Sequence, residues 1–278
     1  MSDQDKNDAN QPQNEQDMQP VAEFTKVDCI FVRHRNVLML KANFVPIFTD
    51  HYIHLMENSI KFKDDLDQKL KDLMALLTLH LCARPWAETI AWTINLRAPR
   101  MNFFATGGST KENIVGTLFT ENVKEHARSL MYNQTIRPGE DVSQSTIEID
   151  SSDPIEWVEK YYAKSEQRPG RAFRLQNDDY VLIAAQPDYD QEWFEALTED
   201  DVSQILDLEQ TKLLETRRFK FHCGCSKDQL ARALYGYKDK PDELFGDQET
   251  ITATCPRCRK TYTLDREIFD LLDKKSEE

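Results

Sequence analysis

The most regular hydrophobic pattern in the chain lies between Asp64 and Leu81. Leucines recur there at the spacing of one helix face, at Leu66, Leu70, Leu73, Leu77 and Leu81. The pattern predicts an amphipathic α-helix, with two aspartates at its start and Pro85 beyond its end. An apolar stripe of this length needs a partner surface, and we expect it to cover one face of a β-sheet.

Shorter hydrophobic runs on both sides of this helix predict the strands of that sheet. Apolar residues alternate from Ile90 to Leu96, and Gly107-Gly108 marks a turn between two later runs. The other predicted strands are Cys29–Val32, Val37–Leu40, Met101–Ala105, Ile114–Thr120, Thr146–Ile149, Arg171–Leu175 and Tyr180–Ala185. Two further helices are predicted, from Pro46 to Glu57 and from Asp153 to Ser165. Helices that interrupt a meander of strands indicate an α+β fold with a mixed sheet, because a βαβ repeat would alternate regularly.

Two segments differ from this globular pattern. Met1–Glu23 is rich in Asp, Asn, Gln and Glu and has almost no apolar residues, so we predict a disordered acidic tail. Pro187–Glu215 carries ten acidic residues and one lysine, yet apolar residues such as Trp193 and Ile205 are interspersed. It is predicted to form one or two helices of marginal stability that persist only when docked on a partner surface. Composition alone favours the simpler interpretation, an interdomain connector.

Four of the six cysteines form two close pairs near the C-terminus. Cys223-Gly224-Cys225 is a C-x-C pair, and Cys255-Pro256-Arg257-Cys258 is a C-x-x-C pair. Two close pairs separated by a short insert can place four thiolates around one tetrahedral metal ion, and a site of four sulfurs favours zinc. A C-x-C pair can also close as a disulfide, so the spacing leaves open whether the site is purely structural. The isolated Cys29 and Cys82 are expected to be buried small hydrophobes.

The charge of the chain bears on its partners. With 278 residues and a net charge of −14, the protein is not expected to bind nucleic acid through its whole surface. The segment from Arg217 to Tyr262 has ten basic and six acidic residues, so its local charge is +4. An alternative hypothesis is therefore an RNA-binding module with a structural metal, using Arg217, Arg218, Lys220, Arg257, Arg259 and Lys260.

The remaining motifs carry less chemistry. His51, His54 and Glu57 could share one side of a helix, but an ordinary helix face is the preferred interpretation. Gly107–Lys111 lacks the spacing of a phosphate loop and is interpreted as a hairpin turn. His222 adjoins Cys223 and is expected beside the metal site or in solvent. No catalytic or nucleotide-binding constellation stands out, so we expect no enzyme, no catalytic residues and no cofactor besides Zn²⁺. The longest apolar runs are too short to span a bilayer, and Met1–Glu23 lacks a signal-peptide pattern, which favours the cytoplasm.

Two motifs in the right order resemble one known family. Tyr162–Pro169 resembles the Y-x-x-S-E-Q-x-P signature of the heat-shock protein 33 (Hsp33) family, the redox-regulated holdase chaperones. The two cysteine pairs, the 29 residues between them and the following Tyr262 are similar to that family's zinc module. The resemblance extends over about Lys26 to Leu272. Arg97-Ala98-Pro99-Arg100 departs from the family's glycine-containing turn, and the linker is shorter than usual.

The resemblance implies a division of labour along the chain. A substrate-binding and dimerisation domain would occupy residues 24–186, a metastable helical linker 187–216 and a redox-switch domain 217–278. The reduced protein would hold zinc through Cys223, Cys225, Cys255 and Cys258. Oxidation would join Cys223 to Cys225 and Cys255 to Cys258, with the second pair as the early peroxide target.

The same resemblance implies how such a switch would work. Structural zinc contributes about 10–16 kcal/mol in model peptides, so its loss should unfold the module. The acidic linker would then lose its docking surface and expose apolar residues to unfolded client proteins. The clients would be held without ATP, and the oxidised protein would be a homodimer. A constitutive chaperone with purely structural zinc is the alternative within the same class.

Overall fold

The computed structural model describes residues 23–269 of the chain. The prediction of a disordered tail over Met1–Glu23 therefore lies almost entirely outside the described residues. The helices are α1 (Val45–Glu57), α2 (Asp64–Cys82), α3 (Pro154–Tyr161), α4 (Gln191–Ala196), α5 (Glu199–Leu208), α6 (Lys227–Ala233) and α7 (Pro241–Phe245). The strands are β1 (Thr25–Val32), β2 (Val37–Asn43), β3 (Thr89–Leu96), β4 (Met101–Gly108), β5 (Asn113–Phe119), β6 (Leu130–Ile136), β7 (Ser143–Glu148), β8 (Gly170–Arg174), β9 (Asp179–Ala185), β10 (Thr211–Phe221), β11 (Thr250–Thr254) and β12 (Thr261–Asp265).

One large mixed sheet dominates the fold. Its ten strands run in the order β7-β6-β3-β4-β5-β10-β1-β2-β9-β8, and β11 and β12 form a separate hairpin. Neighbouring strands are antiparallel except β10 and β5, which pair in parallel over two residues. The predicted α+β class with a mixed sheet is thus confirmed. No helix in the part of the chain that the structure describes is long and apolar enough to cross a membrane.

Helix α2 covers one face of this sheet, as its leucine stripe predicted. From Leu70 to Cys82 its side chains are all buried apart from Lys71, in contact chiefly with β4 and β5. Gly116 in β5 permits this close approach, because a Cβ atom there would lie 2.9 Å from Cγ of Met74. The helix and the strands beneath it therefore form the main core.

The acidic segment lies against the opposite face of the sheet. It forms the two helices α4 and α5, in agreement with the prediction of one or two helices. Their buried residues join a second core with β1, β2, β8 and β9, and these residues are Phe194, Leu197, Val202 and Ile205. Side chains alternate along β1, so Val27 and Cys29 face α2 while Ile30 and Val32 face α4 and α5. One sheet thus carries both cores.

Strand β10 was absent from the sequence prediction. It runs across the expected boundary between residues 216 and 217 and pairs with β1 from Thr211 to Phe219. Lys212, Leu213, Leu214 and Glu215 are all exposed in it, so neither face shows the apolar alternation that identifies a strand. Two smaller differences concern the other motifs. Helix α3 changes at Tyr162 into a π-helical turn that extends to Glu166, and Gly107 and Gly108 belong to β4, with the turn after them.

A buried carboxylate ties α2 to β8 and β9. Asp72 accepts hydrogen bonds from the Tyr180 hydroxyl at 2.6 Å, the Gln68 amide at 2.9 Å and Nε of Arg174 at 2.9 Å. Burial raises the pKa of Asp72 above its usual range, and the three donors oppose that rise. The carboxylate is therefore held in the core by its partners.

We expect Asp72→Ala to lower the free energy of unfolding by roughly 2–3 kcal/mol, because Tyr180 and Arg174 lose their acceptor inside the core. Asp150→Ala is the matched control, since it removes a carboxylate that is 82% exposed and paired with Lys160. Urea unfolding followed by circular dichroism measures both variants. Equal shifts in the two midpoints would contradict the role assigned to Asp72.

Candidate metal centre

Two short loops bring the four cysteines together. Cys223 and Cys225 follow β10 and precede α6, while Cys255 and Cys258 lie in the turn between β11 and β12. The Sγ atoms of Cys223 and Cys255 are 3.7 Å apart, and those of Cys225 and Cys258 are 3.6 Å apart. All four Sγ atoms lie within 4.8 Å of one another. The four residues predicted as ligands therefore converge on one point.

The spacing suits a tetrahedral ion bound by sulfur. Zn–S bonds of about 2.3 Å place the sulfurs of a regular tetrahedron about 3.8 Å apart. The two observed separations of 3.7 and 3.6 Å are close to that value. The four cysteines are thus positioned to bind a metal ion.

Each loop has a backbone conformation that the short spacing requires. Gly224 has a φ of 67° between the first two cysteines, in the left-handed region that glycine enters without steric cost. In the second turn the Arg259 amide donates to the Cys255 carbonyl at 2.8 Å, and the Cys255 amide donates to the Lys260 carbonyl at 2.9 Å. These bonds curl the chain around Cys255 and Cys258, so both sulfurs point to the same side.

Three neighbouring side chains fix the cysteine loops to each other and to the body. The Tyr262 hydroxyl donates to the Cys225 carbonyl at 2.9 Å and lies 3.2 Å from Cys225 Sγ. Arg257 donates to the Cys223 carbonyl at 3.1 Å. His54 Nε2 is 2.8 Å from the Cys258 carbonyl oxygen, which ties α1 to the second turn. Tyr262 belonged to the family resemblance, whereas the contacts of His54 and Arg257 have no signal in the local sequence.

The packed thiols influence one another's ionisation. Hydrogen bonds from Cys223 and Cys258 lower the pKa of the Cys255 thiol. The hydrogen bond with Cys255 raises the pKa of Cys223 to about 12, while the contact with Cys258 opposes that rise. The pKa of Cys258 is raised too, first by its bond with Cys223. The first thiolate is therefore stabilised by its neighbours, and further ones accumulate only with a cation among them.

The histidines of α1 serve a different purpose from metal binding. His51 Nε2 is 2.9 Å from an Asp67 oxygen, and His54 binds the Cys258 carbonyl. Both rings pack 5.3 Å from the ring of Phe221 in β10. Glu57 is exposed at the end of the helix. Among residues 23–269, the four cysteines are the only group of His, Cys, Asp or Glu side chains gathered closely enough for a metal.

Other candidate residues occupy the positions expected of them. Cys29 and Cys82 are buried in the main core, as predicted. Gly107–Lys111 lies at the connection of the antiparallel strands β4 and β5, as expected for a hairpin turn. His222 borders the first cysteine loop. A Cβ atom added to Gly224 would lie 3.3 Å from Nε2 of the His222 ring.

The basic residues of the RNA-binding alternative are engaged in different places. Arg217 donates to the carbonyls of Leu81 and Arg84 at the end of α2, and Arg218 pairs with Glu112. Arg257 is bound to the first cysteine loop. The remaining side chains stack on aromatic rings: Lys220 lies over Phe24, Arg259 lies over Phe62 and Phe119, and Lys260 lies over Tyr262. Their individual contacts do not assemble them into one stripe.

The signature segment Tyr162–Pro169 lies where α3 ends, and of its residues Tyr162 is buried. The Tyr162 hydroxyl is 2.9 Å from Nδ1 of His80, and Tyr161 donates to Glu166 at 2.9 Å. Glu166 also pairs with Arg84 at 2.9 Å. The segment therefore stabilises the junction of α2 and α3 and does not contribute to the cysteine cluster.

Comparison with known proteins gives one family throughout. A family model described as Hsp33 protein matches residues 174–265. The 33 kDa chaperonin of Bacillus licheniformis is 31% identical over 77 residues, which are 27% of this chain and 27% of that protein. The 33 kDa chaperonin of Mannheimia succiniciproducens is 26% identical over 172 residues, covering 52% of this chain and 58% of that one. The matched regions thus span between about a quarter and three fifths of these relatives.

A solved structure resembles the whole fold. The crystal structure of the 33 kDa chaperonin (Hsp33) from Thermotoga maritima matches with a TM-score of 0.64 over 91% of this chain and 99% of that one, at 14% identity. At this identity the likeness establishes the fold. The curated relatives are named as chaperonins and not as enzymes, in agreement with the prediction that this chain is no enzyme.

We expect the purified, reduced protein to carry about one metal ion per chain, and Cys255→Ala to carry almost none, because three sulfurs leave the tetrahedron open. Cys29→Ala is the control, since it removes an equally buried thiol outside the cluster. Elemental analysis under reducing conditions measures both. Full metal content in Cys255→Ala, or none in the wild type, would refute the assignment.

Proposed function

We propose that this chain is a redox-regulated holdase chaperone of the Hsp33 family. The family model, the curated relatives and the solved structure support this family. It would bind unfolding proteins without ATP in the cytoplasm when its cysteines are oxidised. The observation that carries the proposal is the convergence of four Sγ atoms within 4.8 Å at the end of β10, the strand that follows the acidic helices.

Zinc is the proposed occupant of the cysteine cluster. Cys223, Cys225, Cys255 and Cys258 would be its ligands, because four sulfurs at these distances suit its size and its preferred tetrahedral geometry. The bound ion would supply the positive charge that keeps all four sulfurs deprotonated. Tyr262 and Arg257 would hold the two loops in register around it.

Oxidation would convert the two pairs of cysteines into disulfides. In each pair one S–S bond forms as two thiolates lose two electrons. The O–O bond of hydrogen peroxide breaks as it takes up these electrons and two protons from solvent, which gives two molecules of water. The proposed bonds join Cys223 to Cys225 and Cys255 to Cys258, with the second pair reacting first. That order is the one implied by the resemblance to the Hsp33 family.

The structure changes how the signal would reach the acidic helices. The sequence suggested that the linker docks on the zinc module, but the buried residues of α4 and α5 pack on the sheet, on the face opposite α2. Strand β10 connects the end of α5 with Cys223, and its Phe219 and Phe221 are buried in the main core. Loss of the cysteine cluster would therefore act through β10, by loosening the strand on which α5 ends.

Release of α4 and α5 would expose a client-binding surface. Their buried side chains cover Ile30, Val32, Val37, Met39, Phe173, Val181 and Ile183 on the sheet. A contiguous apolar area of this kind is what an unfolded polypeptide needs in order to bind. Leu206, Leu208, Leu213 and Leu214 are already exposed beside it, so the proposed surface would extend an existing patch.

We expect the peroxide-treated protein to suppress light scattering of a thermally unfolding client, while the reduced, metal-loaded protein does not. Mass spectrometry of partly oxidised samples should give the Cys255–Cys258 disulfide before the Cys223–Cys225 disulfide. Size-exclusion chromatography with light scattering tests for the homodimer proposed for the oxidised state. Equal suppression before and after oxidation would leave a constitutive chaperone with structural zinc. No suppression in either state would refute the holdase proposal and favour RNA binding.

We also expect Ile205→Asp to suppress scattering even in the reduced state, because a buried carboxylate should detach α5 from the sheet. Leu206→Asp is the matched control, since the neighbouring side chain is 44% exposed. Metal content measured in both variants verifies that the cysteine cluster is intact. If the two variants behave alike, the detachment of α5 is not what exposes the client surface.

A further inference from the structure

A cationic cleft lies beside the second cysteine turn, where the connection of α1 and α2 meets the ends of the central strands. Two adjoining cavities of about 580 and 650 Å³ share Lys61, Thr120 and Arg259. We call them together the basic cleft. The cationic side chains that line the larger cavity are Lys61, Lys63, Lys69, Arg100 and Arg259.

The charges of the basic cleft are not neutralised by the protein. Lys124 lines the smaller cavity, so the basic cleft has six Lys and Arg side chains. Within residues 23–269, none of the six is ion-paired with a carboxylate. The acidic residues among the described lining are Asp65 in the larger cavity and Glu121 in the smaller one. The chain has a net charge of −14, so carboxylates are plentiful elsewhere. Lys69 donates to the Ser152 carbonyl at 2.5 Å, and the exposed cations are balanced by solvent alone, so an anion bound among them would gain favourable electrostatic interactions.

Arg259 is held in place at the junction of the two cavities. Its guanidinium lies 5.8 Å from the ring of Phe62 and 5.7 Å from the ring of Phe119, and it donates to the Leu118 carbonyl at 3.4 Å. Its backbone has a φ of 62° and follows directly after Cys258. A half-buried arginine between two aromatic rings has lost much of its conformational freedom in advance, which favours ligand binding.

The floor of the basic cleft strengthens the field of these charges. Leu66, Leu96, Met101 and Leu118 line the larger cavity and are buried. Apolar walls strengthen the electrostatic potential inside a cleft whose charges have one sign, because the wall side holds little water to screen them. The volume also lies within the range of about 300–1,000 Å³ typical of small-molecule sites. Several cations around an apolar floor match a small anion with several charges.

We propose that the basic cleft binds a small, multiply charged phosphate-bearing ligand. Arg259, Lys61 and Lys63 contact its phosphates, since Arg and Lys side chains are the usual partners of phosphate oxygens. Free polyphosphate and nucleotides share this chemistry. The site is separate from the cysteine cluster and from the surface beneath α4 and α5, so its failure would leave the holdase proposal intact.

Isothermal titration of the reduced, metal-loaded protein at low ionic strength tests the site, with inorganic tripolyphosphate and ATP as probes. We expect both to bind and the affinity to fall as salt is raised. Similar affinities identify the phosphate chain as the recognised group, and tighter binding of ATP identifies a nucleotide ligand. Absence of binding by both probes, or binding of a long RNA alone, overturns the proposal.

The double variant Lys61→Glu/Lys63→Glu should bind tripolyphosphate at least tenfold more weakly. Both side chains are exposed and belong to the body of the protein, so the metal content should not change. The control is Lys26→Glu/Lys212→Glu, which alters the net charge equally at two exposed lysines of β1 and β10 outside the cleft. Equal weakening in both double variants would show long-range charge effects and overturn the proposed site.

Discussion

Strand β10 is the constraint on which the rest of the structure depends. It pairs with β1 over eight residue pairs and with β5 over two, and so joins the two halves of the ten-stranded sheet. At one end it continues from α5, and at the other it leads into Cys223. Its buried Phe219 and Phe221 reach the main core, and each such ring contributes roughly 1.5–3 kcal/mol. Four cysteines positioned for a metal ion lie just beyond the end of β10, and structural zinc contributes about 10–16 kcal/mol in model peptides.

The acidic helices are the weakest part of this arrangement. Helices α4 and α5 have six and ten residues, lengths at which an isolated helix is unstable in water. Their attachment consists of a small apolar face and two arginines: Arg35 pairs with Asp190 and Glu209, and Arg171 donates to carbonyls at the end of α4. The ten carboxylates of Pro187–Glu215 repel one another along the same stretch. Helices of this length depend on their contacts with the sheet to stay helical.

The sequence predicted the elements of the fold that have a periodic hydrophobic pattern. It also predicted the site residues that lie close together along the chain. The leucine stripe of α2 and the alternation of β3 predicted buried faces correctly, because those residues contact several neighbours of the same kind. The four cysteines could be found because each pair lies within four residues. Strand β10 could not, since Lys212, Glu215 and Arg218 are exposed there and long-range pairing with β1 overrides a pattern typical of a loop. The bond from His54 to Cys258 joins residues 204 positions apart, and no local pattern contains it.

Protonation and oxidation both act on the thiolate sulfurs of the cysteine cluster. The lowered pKa of Cys255 and the raised pKa of Cys223 have a common origin, the hydrogen bonds among closely packed sulfurs. A bound cation favours the thiolate form of all four cysteines. Protons compete with the metal for the same sulfurs, so metal affinity falls as the pH is lowered. A disulfide converts two anionic thiolates into neutral sulfurs that bind a metal ion poorly, without any change in pH. In the proposed switch either event would weaken the attachment at the end of β10, and the strand would then depend on Phe219, Phe221 and its backbone pairing with β1.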